Sequence, residues 1–227
     1  MDKIFIVANW KCNPLTLEEA KALLSGIKQR IKNIKKSAFN KIEIVICPPF
    51  IYLACFLKTG PYIKIGGQNC FWQNSVGAFT GEISPLMLKK MGLKYVIIGH
   101  SERRKLHKET DLLVNKKIKA ALASGLRPIV CIASLAQLKN SLKGIDKTRD
   151  LIIAYEPLFA IGTGKACSVE RAKKYRQKIN FSQVLYGGSV KAENALDYVK
   201  KAGFQGLLIG GASLKDKEFA KIIKRFA

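Results

Sequence analysis

Eight short apolar runs rich in β-branched residues punctuate the chain, and helical stretches lie between them. This alternation limits the possible folds more than any other feature of the sequence. The runs are Ile4–Ala8, Ile42–Cys47, Tyr62–Gly66, Tyr95–Ile98, Pro128–Ile132, Leu151–Ala154, Gln183–Tyr186 and Gly206–Ile209. Runs of this length and composition read as strands covered on both faces, the condition of a parallel sheet. In Thr16–Lys36 the apolar residues Ala20, Leu23, Leu24, Ile27, Ile31 and Ile34 repeat with a helical period behind a threonine cap. The last segment repeats the pattern with Phe219, Ile222, Ile223 and Phe226, and Ser84-Pro85 opens another helix with a cap and a proline at its first position. Eight strand–helix units with no linker or compositional break predict the α/β class and one closed (β/α)8 barrel, a single domain over residues 1–227. With 48% hydrophobic residues the chain is able to bury a core of that size. The competing fold, an open doubly wound sheet, calls for a glycine-rich turn directly after its first strand, and none is present.

The charge is unusual: 40 Lys+Arg against 16 Asp+Glu give +24. Such a balance fits either nucleic-acid binding or the focusing of a small anionic substrate. The basic residues, however, are spread over Lys28-Gln29-Arg30, Lys35-Lys36, Lys89-Lys90, Lys116-Lys117, Lys173-Lys174, Lys200-Lys201 and Lys224-Arg225, without an interleaved aromatic stripe. Solvated helix faces are therefore the expectation, and a dedicated nucleic-acid surface is not. The six cysteines, Cys12, Cys47, Cys55, Cys70, Cys131 and Cys167, form no CxxC pair and no cluster with histidine. They predict free thiols in a reducing cytoplasm, with no metal and no cofactor site. Residues 1–7 lack the features of a signal peptide, and no apolar run approaches the length needed to span a bilayer, so a soluble, cytoplasmic protein is expected.

A barrel places its chemistry on the loops that follow the C-terminal ends of its strands. Polar and glycine-rich groups stand at those positions repeatedly: Asn9-Trp10-Lys11 after the first run, Gly99-His100-Ser101-Glu102-Arg103-Arg104 after the fourth, and Glu156-Pro157 followed by Ala160–Lys165 after the sixth. Gly187-Gly188-Ser189 and Gly210-Gly211-Ala212-Ser213 follow the seventh and eighth. The last two are small-residue turns ahead of helical patterns, which expose backbone N–H groups and suit a phosphate. The alternative is that their glycines serve only tight turns. Residues Ala160, Ile161, Gly162, Thr163, Gly164 and Lys165, with Pro157 at one end, have the composition of a lid. Glu156 is a candidate base pointing into the mouth of the barrel, where a desolvating lid would raise its basicity. His100 is a candidate neutral electrophile, held neutral by the start of the helical turn at Ser101-Glu102, and Lys11 a cation facing the same mouth. His107 lies in a charged helical stretch and reads as a surface residue. A carboxylate, an imidazole, a lysine and a phosphate cradle are what proton transfer next to a carbonyl requires.

Taken together, Ala8-Asn9-Trp10-Lys11, Gly67-Gln68-Asn69, Gly77-Ala78-Phe79-Thr80-Gly81-Glu82, Val96–Arg104, Ala154-Tyr155-Glu156-Pro157, Ala160–Lys165, Tyr186–Val190 and Leu208–Leu214 resemble, in order, the signatures of the triosephosphate isomerase family. The resemblance implies a glycolytic and gluconeogenic enzyme interconverting D-glyceraldehyde 3-phosphate and dihydroxyacetone phosphate through an enediolate. It implies Glu156 as base, His100 as electrophile and proton shuttle, and Lys11 and Asn9 as stabilisers of developing charge. Glu102 would hold Lys11, and Ser101, Cys131 and Thr80 would support the site. Backbone N–H groups of Gly162, Ser189, Gly210 and Gly211 would bind the substrate phosphate under the lid, whose closure keeps the enediolate from losing phosphate. A homodimer is implied, its loop 70–79 inserting into the partner and bringing Thr80 to Asn9. Another phosphosugar-binding barrel isomerase or aldolase, or a basic nucleic-acid-binding barrel, are the alternatives. Neither requires Lys11, His100 and Glu156 in this order.

The chain departs from the family pattern at four places. Phe159, after Leu158, stands where the lid hinge usually has tryptophan, and Ala133-Ser134 stands where Gly-Glu is usual, so a hydrogen bond that closes the lid lacks both partners and gating is expected to differ. The stretches before and after Glu156 are each about a dozen residues short, which predicts trimmed helices in the fifth and sixth units, the fifth over about 135–142. Lys108 replaces a usual glycine.

Overall fold

The computed structural model describes residues 3–146, 150–160 (Ala160 by its backbone alone) and 166–227. Eight strands, β1 (Ile4–Asn9), β2 (Ile42–Cys47), β3 (Ile63–Gly67), β4 (Tyr95–Ile98), β5 (Arg127–Ile132), β6 (Ile152–Tyr155), β7 (Val184–Tyr186) and β8 (Gly206–Ile209), close into a barrel in sequence order. Every pairing is parallel, including the closure of β1 on β8. The helices are α1 (Leu17–Ile31), α2 (Pro85–Lys90), α3 (Ser101–Leu106), α4 (Asp111–Ala123), α5 (Leu135–Ser141), α6 (Val169–Gln177), α7 (Ala195–Lys200) and α8 (Asp216–Lys224). Between β2 and β3 the outer layer is a 3₁₀ helix, Phe50–Phe56. The barrel class and the strand positions agree with the sequence reading to within a residue or so at each end.

Strand parity divides the core in two. Phe5, Val7, Val45, Cys47, Tyr95, Ile97, Ile129, Cys131, Ile152, Ala154, Leu185 and Leu208 pack together as one cluster. The alternate residues, such as Ile6, Ile44, Val96, Val130, Ile153 and Ile209, belong to a second cluster that includes Ile27 of α1, Ile118 of α4 and Phe219 and Ile222 of α8. The first cluster fills the barrel and the second joins barrel to helices, because successive strand side chains point to opposite faces. This is why the runs read as apolar on both faces. Two glycines mark close approach. At Gly66 a Cβ would lie 2.8 Å from Cys47 Sγ and 3.2 Å from Val45 Cγ1 inside the barrel, and at Gly206 it would collide with the Phe5 backbone where β8 closes on β1.

The caps also follow local sequence. Thr16 and Glu19 form a reciprocal capping box on α1, and Ser84 accepts from the N–H of Leu86 ahead of Pro85 at the start of α2. The expected first helix, 16–36, ends sooner, at Ile31. The chain then turns, with the N–H of Ile34 donating to Ile31 O, so that the last residue of the apolar stripe packs from a turn. The fifth helix is short as expected, seven residues from Leu135 to Ser141, and α6 has nine. Of the paired basic residues, Lys28, Lys35, Lys36, Lys89, Lys90, Lys116, Lys173, Lys174, Lys200, Lys201, Lys224 and Arg225 are exposed. Lys117 is the correction. It is buried, and its ammonium lies 2.6 Å from Glu109 Oε1 and 2.8 Å from Asn69 Oδ1.

Candidate active site

Glu156 follows β6 by one residue and continues its inward parity from Ile152 and Ala154, so it rises from the barrel interior into the C-terminal mouth. It is buried, directly above Cys131 of β5, whose thiol is pushed well up by burial first and by the neighbouring Glu156 second. His100 leaves β4 through Gly99, whose φ of +68° turns the chain sharply and whose missing side chain would strike Val114. The imidazole caps α3: its Nδ1 accepts the N–H of Glu102 at 3.3 Å, which only an unprotonated nitrogen does, leaving the proton on Nε2. That Nε2 lies 3.1 Å from Glu156 Oε1, and the N–H of Ser101 donates to Glu156 Oε2 at 3.0 Å.

Burial does push the Glu156 carboxyl up, but the His100 ring and the Ser101 N–H outweigh it, and Glu156 sits below its ordinary range. The same contact acts on His100 from the other side. Burial, the largest single influence, lowers its pKa, but the Glu156 carboxylate and Glu102 together raise it, and the net direction is up.

Lys11 stands at the end of β1 with φ of +55°, a left-handed conformation for a residue that carries a side chain. Three groups hold it there. Asn9 Oδ1 accepts the Lys11 N–H at 3.0 Å, Gln68 Nε2 donates to the Lys11 carbonyl at 2.8 Å, and Glu102 Oε1 meets the ammonium at 2.5 Å. Gln68 is a residue whose role sequence reasoning missed. It reaches both Lys11 O and Cys47 O across 57 and 21 residues, and no local pattern announces such a contact.

Asn9, Lys11, His100, Glu156, Ser189, Gly210 and Gly211 line one cavity of about 600 Å³. Gly211 opens a 3₁₀ helix (Gly211–Leu214) directly beside it, and nothing stands within 4 Å of where its Cβ would be. Gly210 is close to the stem of Lys11, 3.1 Å from Cε. Ser189 is followed by a turn and not by a helix. α7 begins only at Ala195, and Asn194 Nδ2 donates to Ser189 O at 3.1 Å, so the expected pair of helix N-termini is one 3₁₀ start and one pinned turn. Behind Glu156 a second cavity of about 580 Å³ shares Lys11 and Glu156 and is bounded by Ser101, Cys131, Ala133, Gln137 and Leu158.

Thr80 lies in an exposed turn and does not line the cavity of its own chain. Pro157 leads into a 3₁₀ turn at Leu158–Ala160. The remaining lid residues of the sequence reading, Ile161, Gly162, Thr163, Gly164 and Lys165, lie outside the described residues. The two unusual hinge positions both have partners here. Arg171 places its guanidinium 4.3 Å from the Phe159 ring centroid, and Ser134 caps α5 by accepting the Gln137 N–H at 3.1 Å. The chain rejoins the barrel at Cys167, whose N–H donates to Tyr186 Oη at 3.1 Å.

Known proteins place this arrangement in a family. The family model for triosephosphate isomerase matches residues 4–226. A triosephosphate isomerase of Thermoanaerobacter sp. (strain X514) is 40% identical over 254 aligned positions, covering 98% of this chain and 99% of the relative. One from Dehalococcoides mccartyi (strain ATCC BAA-2100 / JCM 16839 / KCTC 5957 / BAV1) is 42% identical over 256 positions, covering 100% and 98%. One from Synechococcus sp. (strain JA-2-3B'a(2-13)) is 39% identical over 245 positions, covering 98% and 97%. The chain belongs to the triosephosphate isomerase family.

Proposed function

We propose that the cavity at the C-terminal mouth interconverts D-glyceraldehyde 3-phosphate and dihydroxyacetone phosphate, with Glu156 and His100 as the proton-transferring pair. The observation that carries this reading is the 3.1 Å approach of Glu156 Oε1 to His100 Nε2 in one cavity with Lys11 and the turns at Ser189 and Gly210-Gly211. A phosphate on the N–H groups of those turns, joined by Gly162, sets the carbonyl carbon and its neighbour beside the pair. Glu156 takes the proton from the carbon next to the carbonyl. His100 Nε2–H donates to the carbonyl oxygen, and the enediolate charge is met by the Lys11 ammonium and Asn9. Glu156 returns its proton to the former carbonyl carbon. His100 Nε2, having given its proton to the first oxygen, takes one from the neighbouring hydroxyl, so that the second oxygen becomes the carbonyl and no atom is gained or lost.

The resting contacts have a further consequence. Both Glu156 oxygens are occupied, one by His100 and one by Ser101 N–H. When a substrate carbonyl claims His100, the strongest influence holding Glu156 down is removed while burial remains, so the carboxylate becomes a stronger base as the substrate arrives.

The test is a coupled isomerase assay on glyceraldehyde 3-phosphate. Glu156→Ala should lose about 10³-fold or more in kcat, the scale of a lost general base. Glu156→Asp, which retracts the carboxylate by one methylene, should lose on the order of 10²-fold, and His100→Gln should also be impaired. Full activity in Glu156→Ala would overturn the assignment.

The loop 70–79 supports a homodimer as the working form. It presents the exposed side chains of Val76, 72% exposed, and Trp72, and its root carries the packed rings of Phe71 and Phe79 at 5.0 Å. A sedimentation mass of one chain at micromolar concentration would count against this. The six free cysteines suit a cytoplasmic location, and no helix among the described residues is long and apolar enough to cross a membrane.

A further inference from the structure

Cys167 is held at both of its backbone groups. Its N–H donates to Tyr186 Oη at 3.1 Å, and its carbonyl accepts from Tyr198 Oη at 2.5 Å. The two phenol rings stack with centroids 3.7 Å apart and an interplanar angle of 13°, and the edge of Phe204 closes on Tyr186 at 5.5 Å. Cys167, Tyr186 and Tyr198 are all buried. Nothing in the proton-transfer chemistry uses Tyr198, yet its position on α7 is costly to leave empty. A buried carbonyl without a donor loses roughly 1–3 kcal/mol.

Tyr186 connects this cluster to the substrate end of the cavity. It is the last residue of β7, directly before the turn Gly187-Gly188-Ser189. Its hydroxyl lies so close to the Cα of Gly188 that any Cβ there would collide with it. The hydroxyl is thus wedged between the turn and the Cys167 N–H. Tyr198 fixes the other face of that wedge, by stacking on the ring and by tethering the Cys167 carbonyl to α7. If that tether is cut, Cys167 is free to shift. Tyr186 then loses the partner that holds its hydroxyl against the turn.

We propose that Tyr198 is a positioning residue for phosphate binding, holding the turn at Ser189 in register through Cys167 and Tyr186. The proposal rests on the assignment of that turn to the substrate phosphate.

The experiment compares the whole protein with Tyr198→Phe and with Tyr95→Phe. Tyr198→Phe keeps the ring and removes one hydroxyl. Tyr95→Phe removes a tyrosine hydroxyl hydrogen bond of similar kind, to Glu43 Oε1 at 2.9 Å, at the opposite end of the barrel. For each protein, kcat, KM and the competitive inhibition constant of inorganic phosphate are measured, along with direct phosphate binding by calorimetry. In Tyr198→Phe, KM and both phosphate constants should rise about three- to tenfold, the size of one net hydrogen bond, with kcat changed less than KM. Tyr95→Phe should leave all of them at the wild-type values, whatever it does to the melting temperature. Wild-type constants in Tyr198→Phe, or equal changes in the two variants, would overturn the proposal. A wild-type protein that binds phosphate but does not isomerise would instead overturn the reading of the site, and the calorimetric comparison would still decide the role of Tyr198.

Discussion

Replacing Glu109 with glutamine tests how a strongly basic protein tolerates a lysine in its interior. The Glu109 side chain is 2% exposed and that of Lys117 is 5%. One carboxylate oxygen receives Lys117 Nζ at 2.6 Å and Arg103 Nε at 2.5 Å, and Lys117 has Asn69 Oδ1 as a second acceptor at 2.8 Å. Burial pushes Glu109 up, but the lysine and arginine outweigh it, so its pKa in the folded state is lowered. A carboxylate with a depressed folded pKa stabilises the protein fully above its unfolded pKa, about 4.3. It loses that contribution as the pH falls through the folded value. Glutamine keeps an acceptor for Lys117 and removes the counter-charge. Breaking a buried pair costs about 3–5 kcal/mol, and the retained acceptor puts the expected loss at about 3 kcal/mol. For a chain of this size that is a fall in Tm of about 6–12 °C. Thermal melts followed by circular dichroism at pH 7.5, 5 and 3.5 should show the full gap at the first two values. The gap should narrow at the third, which lies below the unfolded pKa, because protonation of the unfolded chain's carboxylate there begins to remove the contribution. Adding Lys117→Met to Glu109→Gln should recover much of the loss at pH 7.5, because a packed apolar side chain needs no counter-charge. A gap that does not depend on pH, or no gap at pH 7.5, would refute this account of the pair.

Three further outcomes are expected. Lys108→Gly should stabilise the protein, because Lys108 holds φ of +55° and a non-glycine residue there costs about 1–2 kcal/mol, against about 0.5–1 kcal/mol of extra chain entropy for glycine; a denaturant midpoint at or below wild type would contradict it. Gly66→Ala should destabilise by about 1–3 kcal/mol through overpacking against Cys47 and Val45 inside the barrel, read by urea unfolding. The double variant Phe159→Trp, Ser134→Glu should change the rate of lid motion as followed by stopped-flow fluorescence. Its second substitution should also cost about 1 kcal/mol by removing the cap of α5. Closure kinetics indistinguishable from those of the parent would argue that the two positions do not govern gating.

The sequence by itself determined the features that depend on neighbours along the chain. Strand positions were legible because a strand packed on both faces must be apolar on both, whereas which parity faces inward, as Ile152 and Ala154 do below Glu156, was decided by the closed barrel. The cap at Thr16 and the Ser84-Pro85 start were legible from adjacent residues, and the short fifth helix from the shortened stretch before Glu156 measured against the family pattern. Tertiary structure decided the rest. The first helix ends five residues early, at Ile31, and Ile34 packs against the core from a turn. Lys117 reads as one more surface lysine until Glu109 and Asn69 enclose it. Glu156 sits low because His100 and Ser101, 56 and 55 residues away, outweigh its burial. Gln68 stands in a stretch that the sequence singles out, but its grip on the Lys11 carbonyl gives no local signal, and neither does Tyr198 behind Cys167. Periodicity and capping are properties of adjacent residues. The energy of a buried charge or hydroxyl depends on which distant partners the closed barrel brings within 3 Å of it.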